Sequence, residues 1–145
     1  MSLTLRVGLV GFSGQKFDEN LAKQYLVVAF DEIQQKHPSR KMVLVSGWTD
    51  VGIPALGYRE AQRRGWTTVG IACKKAEEYE RFPVDQSIVV GENWGDESEE
   101  FLKSIDIMVK IGGGKQSERE CQTAKQRGIY IIRICQENPT GLPWG

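Results

Sequence analysis

The chain has 145 residues, 40% of them hydrophobic, enough for one compact core without disulfide or metal staples. Lysine plus arginine equals aspartate plus glutamate at 19 each, so no net field gathers nucleic acid or an anionic membrane, and any affinity for phosphate must be local. Composition thus predicts a single domain over 1–145 and counts against a nucleic-acid or membrane partner.

Leu5 to Val10 is a short apolar run closing in Gly11-Phe12-Ser13-Gly14, the pattern of a buried strand entering a glycine-rich turn. From Asp18 onward, Leu21, Tyr25, Val28, Ala29 and Ile33 recur on one helical face, and Pro38 stops the helix. Met42 to Val45 is the second strand and leads into Ser46-Gly47-Trp48-Thr49-Asp50. Pro54 suits the first turn of the next helix, which carries Ala55, Tyr58 and Ala61 or Gln62 and stops at Gly65. Thr67 to Ala72 is a third strand, and the charged stretch Lys74 to Arg81 reads as a short solvated helix or loop before Pro83.

Ser87 to Val90 gives a fourth strand. Asp96, with Glu99 three residues on, is a candidate cap for a helix carrying Phe101 and Leu102. Ile105 to Ile111 is a fifth strand that breaks into Gly112-Gly113-Gly114 at the start of another helix, and Ile129 to Ile134 follows Gly128 as a sixth. The turn-rich tail from Asn138 to Gly145 is either a partly ordered end, a flap over a sheet edge, or a subunit contact through Trp144. Strands alternating with helices, most of them continuous apolar runs, predict a three-layer α/β/α domain with a mainly parallel sheet of about six strands.

Cys73, Cys121 and Cys135 are odd in number and widely spaced, which suits reduced thiols in a cytoplasmic protein. Neither a secretory leader nor an apolar run long enough to span a bilayer is legible. The single histidine, His37, has no ligand-spaced neighbour, so no metal site is expected and most general-base schemes lose their commonest group.

Ligands on parallel sheets bind beyond the carboxyl ends of the strands, where strand order reverses. The first loop has Gly8, Gly11 and Gly14, not the spacing of a dinucleotide fingerprint, and no ribose-binding acid ends the second strand. Gly114-Lys115-Gln116-Ser117 lacks the Lys-Ser/Thr adjacency of an ATP-binding phosphate loop. What remains is Ser13 between glycines, Ser46-Gly47 after the second strand, and the triplet Gly112, Gly113 and Gly114. In the second loop Asp50 is either a polar contact or a cap for the helix containing Pro54. Ser117 and Glu120 have the spacing of a capping box, which would explain both without a ligand; three successive glycines, each costly in backbone entropy, go beyond what a cap needs. Strand, glycine turn and helix start present bare N–H groups to an anion.

The segment Gly112-Gly113-Gly114-Lys115-Gln116-Ser117-Glu118-Arg119-Glu120 resembles the G-G-G-x-G-T-x-x-E motif of the superfamily containing the lysine-decarboxylase-like "lonely guy" proteins, molybdenum-cofactor carrier proteins and the DNA-processing DprA domain. Val7 to Gly14, and Val45-Ser46-Gly47 followed by Asp50-Val51-Gly52, are similar to that group's first two strands and loops. The resemblance implies a Rossmann-like nucleotide-binding domain, commonly homo-oligomeric, in which Gly113, Gly114 and Ser117 hold a phosphate and Glu120 lies near the sugar. A nucleotide or a molybdopterin-type compound is the implied ligand. Gln116 stands where the motif has glycine and Ser117 where it has threonine. The phosphoribohydrolase members also place an arginine before the fifth strand, whereas here Asp96 to Lys103 is acidic, with Glu97, Glu99 and Glu100 expected to face water.

The expected ligand contacts are therefore Gly11, Ser13, Gly14, Ser46, Gly47, Gly112, Gly113, Gly114, Gln116 and Ser117, with Glu120 as the candidate catalytic carboxylate. Three functions stay open at this point. One is a carrier or sensor of a nucleotide-derived phosphate ligand, one a nucleoside 5′-monophosphate phosphoribohydrolase of the lonely-guy type, and one a structural or partner-binding domain without a ligand. For the last, Trp48, Trp94 and Trp144 are the contacts to examine, although Trp48 and Trp94 lie in loops that could stack on a base.

Overall fold

The computed structural model describes residues 3–13 and 16–134. Gly14, Cys135 and the tail with Trp144 lie outside the described residues. Six strands, β1 (Thr4–Gly11), β2 (Lys41–Ser46), β3 (Thr67–Ala72), β4 (Gln86–Val89), β5 (Ile107–Ile111) and β6 (Tyr130–Ile134), pair in the order β4-β3-β2-β1-β5-β6, every pair parallel. The helices are α1 (Glu19–Lys36), α2 (Gly52–Arg63), α3 (Ser98–Lys103) and α4 (Lys115–Gln126). Lys74–Glu78 forms a solvated 3-10 turn, as its charge pattern suggests.

Both faces of the sheet are covered, which is why the central strands read as unbroken apolar runs. Successive side chains point to opposite faces. Leu5, Val7 and Leu9 of β1 join Leu44, Ile107, Val109 and Ile111 against Leu26, Phe30 and Ile33 of α1 and Ile53 and Leu56 of α2. Val10, Val45, Ile71 and Met108 pack on the other face with Phe101 and Leu102 of α3 and Cys121 and Ala124 of α4. The result is the expected three-layer Rossmann-like α/β arrangement.

Local signals fared unevenly. Asp18 caps α1 as read, its carboxylate accepting from the Leu21 N–H at 3.0 Å. Asp50 does not cap α2: the N-cap is Val51, and the Asp50 carboxylate instead accepts from Arg59 at 3.1 Å. Asp96 closes the preceding turn by accepting from the Glu92 and Asn93 N–H groups, both at 3.0 Å, and leaves α3 uncapped by any side chain. β5 begins two residues later than the apolar run, because Asp106 turns aside to accept from the Arg6 N–H at 2.8 Å.

Candidate functional site

From β1 the chain winds outward through β2, β3 and β4, then returns to place β5 on the opposite side of β1. The loops after β1 and β5 therefore diverge from adjacent strand ends and leave a crevice between them. A cleft of about 280 Å³ opens there. Gly11 and Ser13 line it from the first loop, Ser46, Gly47 and Thr49 from the second, and Gly114, Gln116, Ser117 and Glu120 from the glycine turn and α4. Eight of the expected site residues thus converge. Gly112 and Gly113 form the turn that feeds Gly114 into the cleft wall.

Two glycines make the convergence possible. A side chain at Gly11 would put its Cβ 2.3 Å from the Ile111 carbonyl oxygen, so only glycine lets the ends of β1 and β5 lie this close. Gly112 has φ +59°, and a Cβ there would stand 1.9 Å from the Phe12 ring. Gly112, the first glycine of the triplet, is thus required by the turn itself.

The Ser117–Glu120 capping box does not form. α4 begins at Lys115 behind Gly114, which offers no side-chain cap, so Ser117 already lies within the helix. Its hydroxyl points to the Gly11 carbonyl at 3.4 Å, while the buried Ser46 hydroxyl donates to the Leu9 carbonyl at 2.7 Å. The first N–H groups of α4 therefore have no capping side chain, and the residues that bear them, Lys115, Gln116 and Ser117, line the cleft. The N-terminal turn of α2 reaches the same cleft through Pro54.

Glu120 is buried and faces the start of α3. Its Oε2 accepts from the Ser98 hydroxyl at 2.7 Å and from Gln116 Nε2 at 3.3 Å. Burial holds its carboxyl above the usual range, and the neighbouring Glu97 charge adds to the shift; the bonds from Ser98 and Gln116 and the charge of Arg119 oppose it.

Glu97 overturns the expectation that the acidic segment faces water. It is 6% exposed and lines the cleft, with Oε1 accepting from the Gly95 N–H at 2.8 Å and Oε2 lying 3.4 Å from Gln116 Nε2. Gln116, which replaces a motif glycine, thus sets a neutral amide between two carboxylates. Glu99 does face outward, where it takes two bonds from Arg127, at 2.9 and 2.6 Å. Lys103 and Arg119 are exposed and neither lines the cleft; the cation on its wall is Lys115.

Two further residues escaped the sequence reading. Lys110 is buried at the end of β5, where Nζ donates to the Gly112 carbonyl at 2.7 Å and pairs with Glu118 at 3.3 Å, fastening the glycine turn to α4. Thr49 lines the cleft beside Gly47. Of the two tryptophans within the described residues that the sequence singled out, Trp94 lines the cleft and is 46% exposed. Trp48, at φ 76°, is held by a bond from its N–H to the Tyr58 hydroxyl at 3.0 Å, with Arg81 5.3 Å from its ring centre.

Among the described residues no group of histidine, cysteine, aspartate or glutamate is arranged to hold a metal ion, and no helix is long and apolar enough to cross a membrane. Cys73 and Cys121 are buried and not disulfide-bonded to each other.

Fold and cleft together define a Rossmann-like domain with an open crevice at its strand-order reversal. Solved structures share that fold. The molybdenum cofactor binding protein from Rippkaea orientalis is similar with a TM-score of 0.71 at 20% identity, over 90% of this chain and 76% of that one. The molybdenum cofactor carrier protein from Chlamydomonas reinhardtii gives 0.70 at 19% identity over the same shares, 90% and 76%. A protein designated TM1055 gives 0.71 at 22% identity, over 89% of this chain and 73% of that one. No protein-family model and no curated protein matches the sequence.

Proposed function

We propose that this chain binds a nucleotide or nucleotide-derived phosphate ligand in the cleft at the ends of β1, β2 and β5, and acts as its carrier or sensor. The observation that carries this reading is the start of α4. An uncapped helix N-terminus at a strand-order reversal supplies N–H donors and the positive end of the helix dipole, which favour an anion. Lys115 adds an ammonium, and the hydroxyls of Ser13 and Ser117 add adaptable polar contacts.

The same donor set suits the phosphate of a molybdopterin-type ligand, a reading in keeping with the two structurally similar proteins named for the molybdenum cofactor. Gly114, Lys115 and Ser117 would hold its phosphate, and Trp94 would lie against its ring system. The metal would be cargo, and the protein's part is to bind and orient.

Nucleoside 5′-monophosphate hydrolysis is the second reading, and the raised carboxyl of Glu120 favours it, because burial that favours the protonated form suits a general acid. The carrier reading ranks first because the side chain meeting Glu120 from α3, the helix before the fifth strand, is the Ser98 hydroxyl, where a phosphoribohydrolase would need an arginine.

Thermal denaturation with nucleoside mono- and diphosphates, ADP-ribose and molybdopterin-type compounds tests the proposal, since a bound ligand raises the melting temperature by mass action. No shift with any of them removes it. Release of free base from AMP, lost in Glu120→Gln, would install the enzyme reading instead.

A further inference from the structure

The cleft has two chemically opposed walls. One, with Gly11, Ser13, Gly114, Lys115 and Ser117, offers backbone N–H groups, hydroxyls and an ammonium. The other comes from the segment between β4 and α3 and offers the Trp94 ring and the Glu97 carboxylate. Trp94 leaves a large aromatic face in water at the rim, and exposed Tyr79 extends it, with ring centroids 5.9 Å apart. Glu97 is buried, and among the described residues its Oε2 has only the long contact from Gln116. Each carboxylate oxygen accepts two bonds, so Glu97 keeps acceptor capacity toward the cleft.

These walls fix how a phosphate ester would lie. Carboxylates at Glu97 and Glu120 repel a phosphate, which confines the anion to the glycine wall and turns the ligand's uncharged ring toward Trp94 and Glu97. Aromatic faces stack on any heterocycle. A carboxylate is more selective: it only accepts, and two adjacent coplanar N–H donors match its two oxygens. The adenine edge sets one amino donor beside a ring-nitrogen lone pair, which a carboxylate repels. A 2-amino-4-oxopyrimidine edge sets a ring N–H beside an amino group.

Building on the phosphate-ligand reading above, we infer that Trp94 and Glu97 form the ring-recognition end of the cleft, selective for a phosphate ester whose heterocycle carries the 2-amino-4-oxopyrimidine edge shared by guanine and the pterins. Trp94 supplies the stacking face and Glu97 the discrimination.

Isothermal titration with GMP, 7,8-dihydroneopterin monophosphate, AMP and inorganic phosphate tests this. GMP or the pterin ester is expected to bind about tenfold or more tightly than AMP. The tighter of the two identifies the source of the edge. In Glu97→Gln the advantage over AMP should disappear while phosphate affinity holds or rises, one repelling charge being gone, and the amide oxygen can still accept from the Gly95 N–H, so the loop keeps its bond. Trp94→Ala, at an exposed ring, should weaken all three ring-bearing ligands and spare phosphate. Equal binding of the three by the unmodified protein, or a preference that survives Glu97→Gln, overturns the inference. So does GMP binding that vanishes with EDTA, which would make Glu97 a metal ligand. If even inorganic phosphate fails to bind, the fault lies with the phosphate-ligand reading itself.

Discussion

The Ser98 hydroxyl donates to Glu120 Oε2 across 2.7 Å and joins the first residue of α3 to α4. Twenty-two positions separate the two in sequence. The bond fixes the orientation of the buried Glu120 carboxylate and leaves its other oxygen, Oε1, outside the contacts with Ser98 and Gln116.

Removing that hydroxyl should push the Glu120 carboxyl further above its ordinary range. The Ser98 bond favours the charged form, while burial, the larger influence, disfavours it. In Ser98→Ala only the bond from Gln116 and the charge of Arg119 still oppose burial. Carboxyl carbon NMR titration of Glu120 in both proteins should show the midpoint moving upward; an unchanged or lower midpoint would mean that Ser98 does not stabilise the carboxylate.

The two glycine turns separate fold from site. Gly112→Ala forces a Cβ into the Phe12 ring at φ +59°, and should cost about 2–4 kcal/mol of stability in urea denaturation. A Cβ on Gly47 meets nothing within 4 Å, so Gly47→Ala should stay within about 0.5 kcal/mol of the unmodified protein. Because Gly47 lines the cleft, its alanine variant should nevertheless weaken ligand binding. A well-folded Gly47→Ala protein with full affinity would place the ligand away from the β2 loop.

Much of this was legible in the chain because the physics is local. Buried parallel strands are continuous apolar runs, and Gly11, Ser46 and Gly112 follow their carboxyl ends, so strand assignment alone brought three loops to one edge of the sheet. What escaped depends on helix phase. Ser117 and Glu120 have capping-box spacing, yet α4 starts at Lys115, which moves Ser117 into the helix and Glu120 toward Ser98. Glu97 is one of four acidic residues in the five positions from Asp96 to Glu100, with Ser98 the exception, so charge could not show which would turn inward. A contact to the Gly95 N–H and one to Gln116, neither visible in a local pattern, decide it.

Lys110 should matter to the turn more than to the core. Its Nζ is the charged donor to the Gly112 carbonyl, and a hydrogen bond to a charged group is worth about 1.5–3 kcal/mol. Lys110→Met keeps the apolar stem among its neighbours but removes that donor, while Glu118 keeps its partner Arg133 at 3.0 Å. Denaturation should show a loss of this order, and hydrogen exchange should quicken at the start of α4 before it does in β1. A uniform increase across the sheet would show Lys110 to be a core residue rather than a clasp.

Glu120 also sets a pH dependence whose sign can be worked out. Its carboxyl in the folded protein titrates above the ordinary 4.5, so between that value and the raised one the folded state binds more protons than the unfolded state. Stability then falls as pH rises through this window, because its slope follows the protons bound by the unfolded state minus those bound by the folded state. Below the ordinary value the carboxyl is protonated in both states and the full contribution is present. Glu120→Gln mimics the protonated form and can still accept from Ser98, so it should track the unmodified protein in acid and become progressively more stable than it toward neutral pH. Melting curves of the two proteins at a series of pH values from 4 upward measure the divergence. A constant offset at every pH would show that Glu120 titrates as it does in the unfolded chain, and that neither its burial nor its neighbour Glu97 perturbs it.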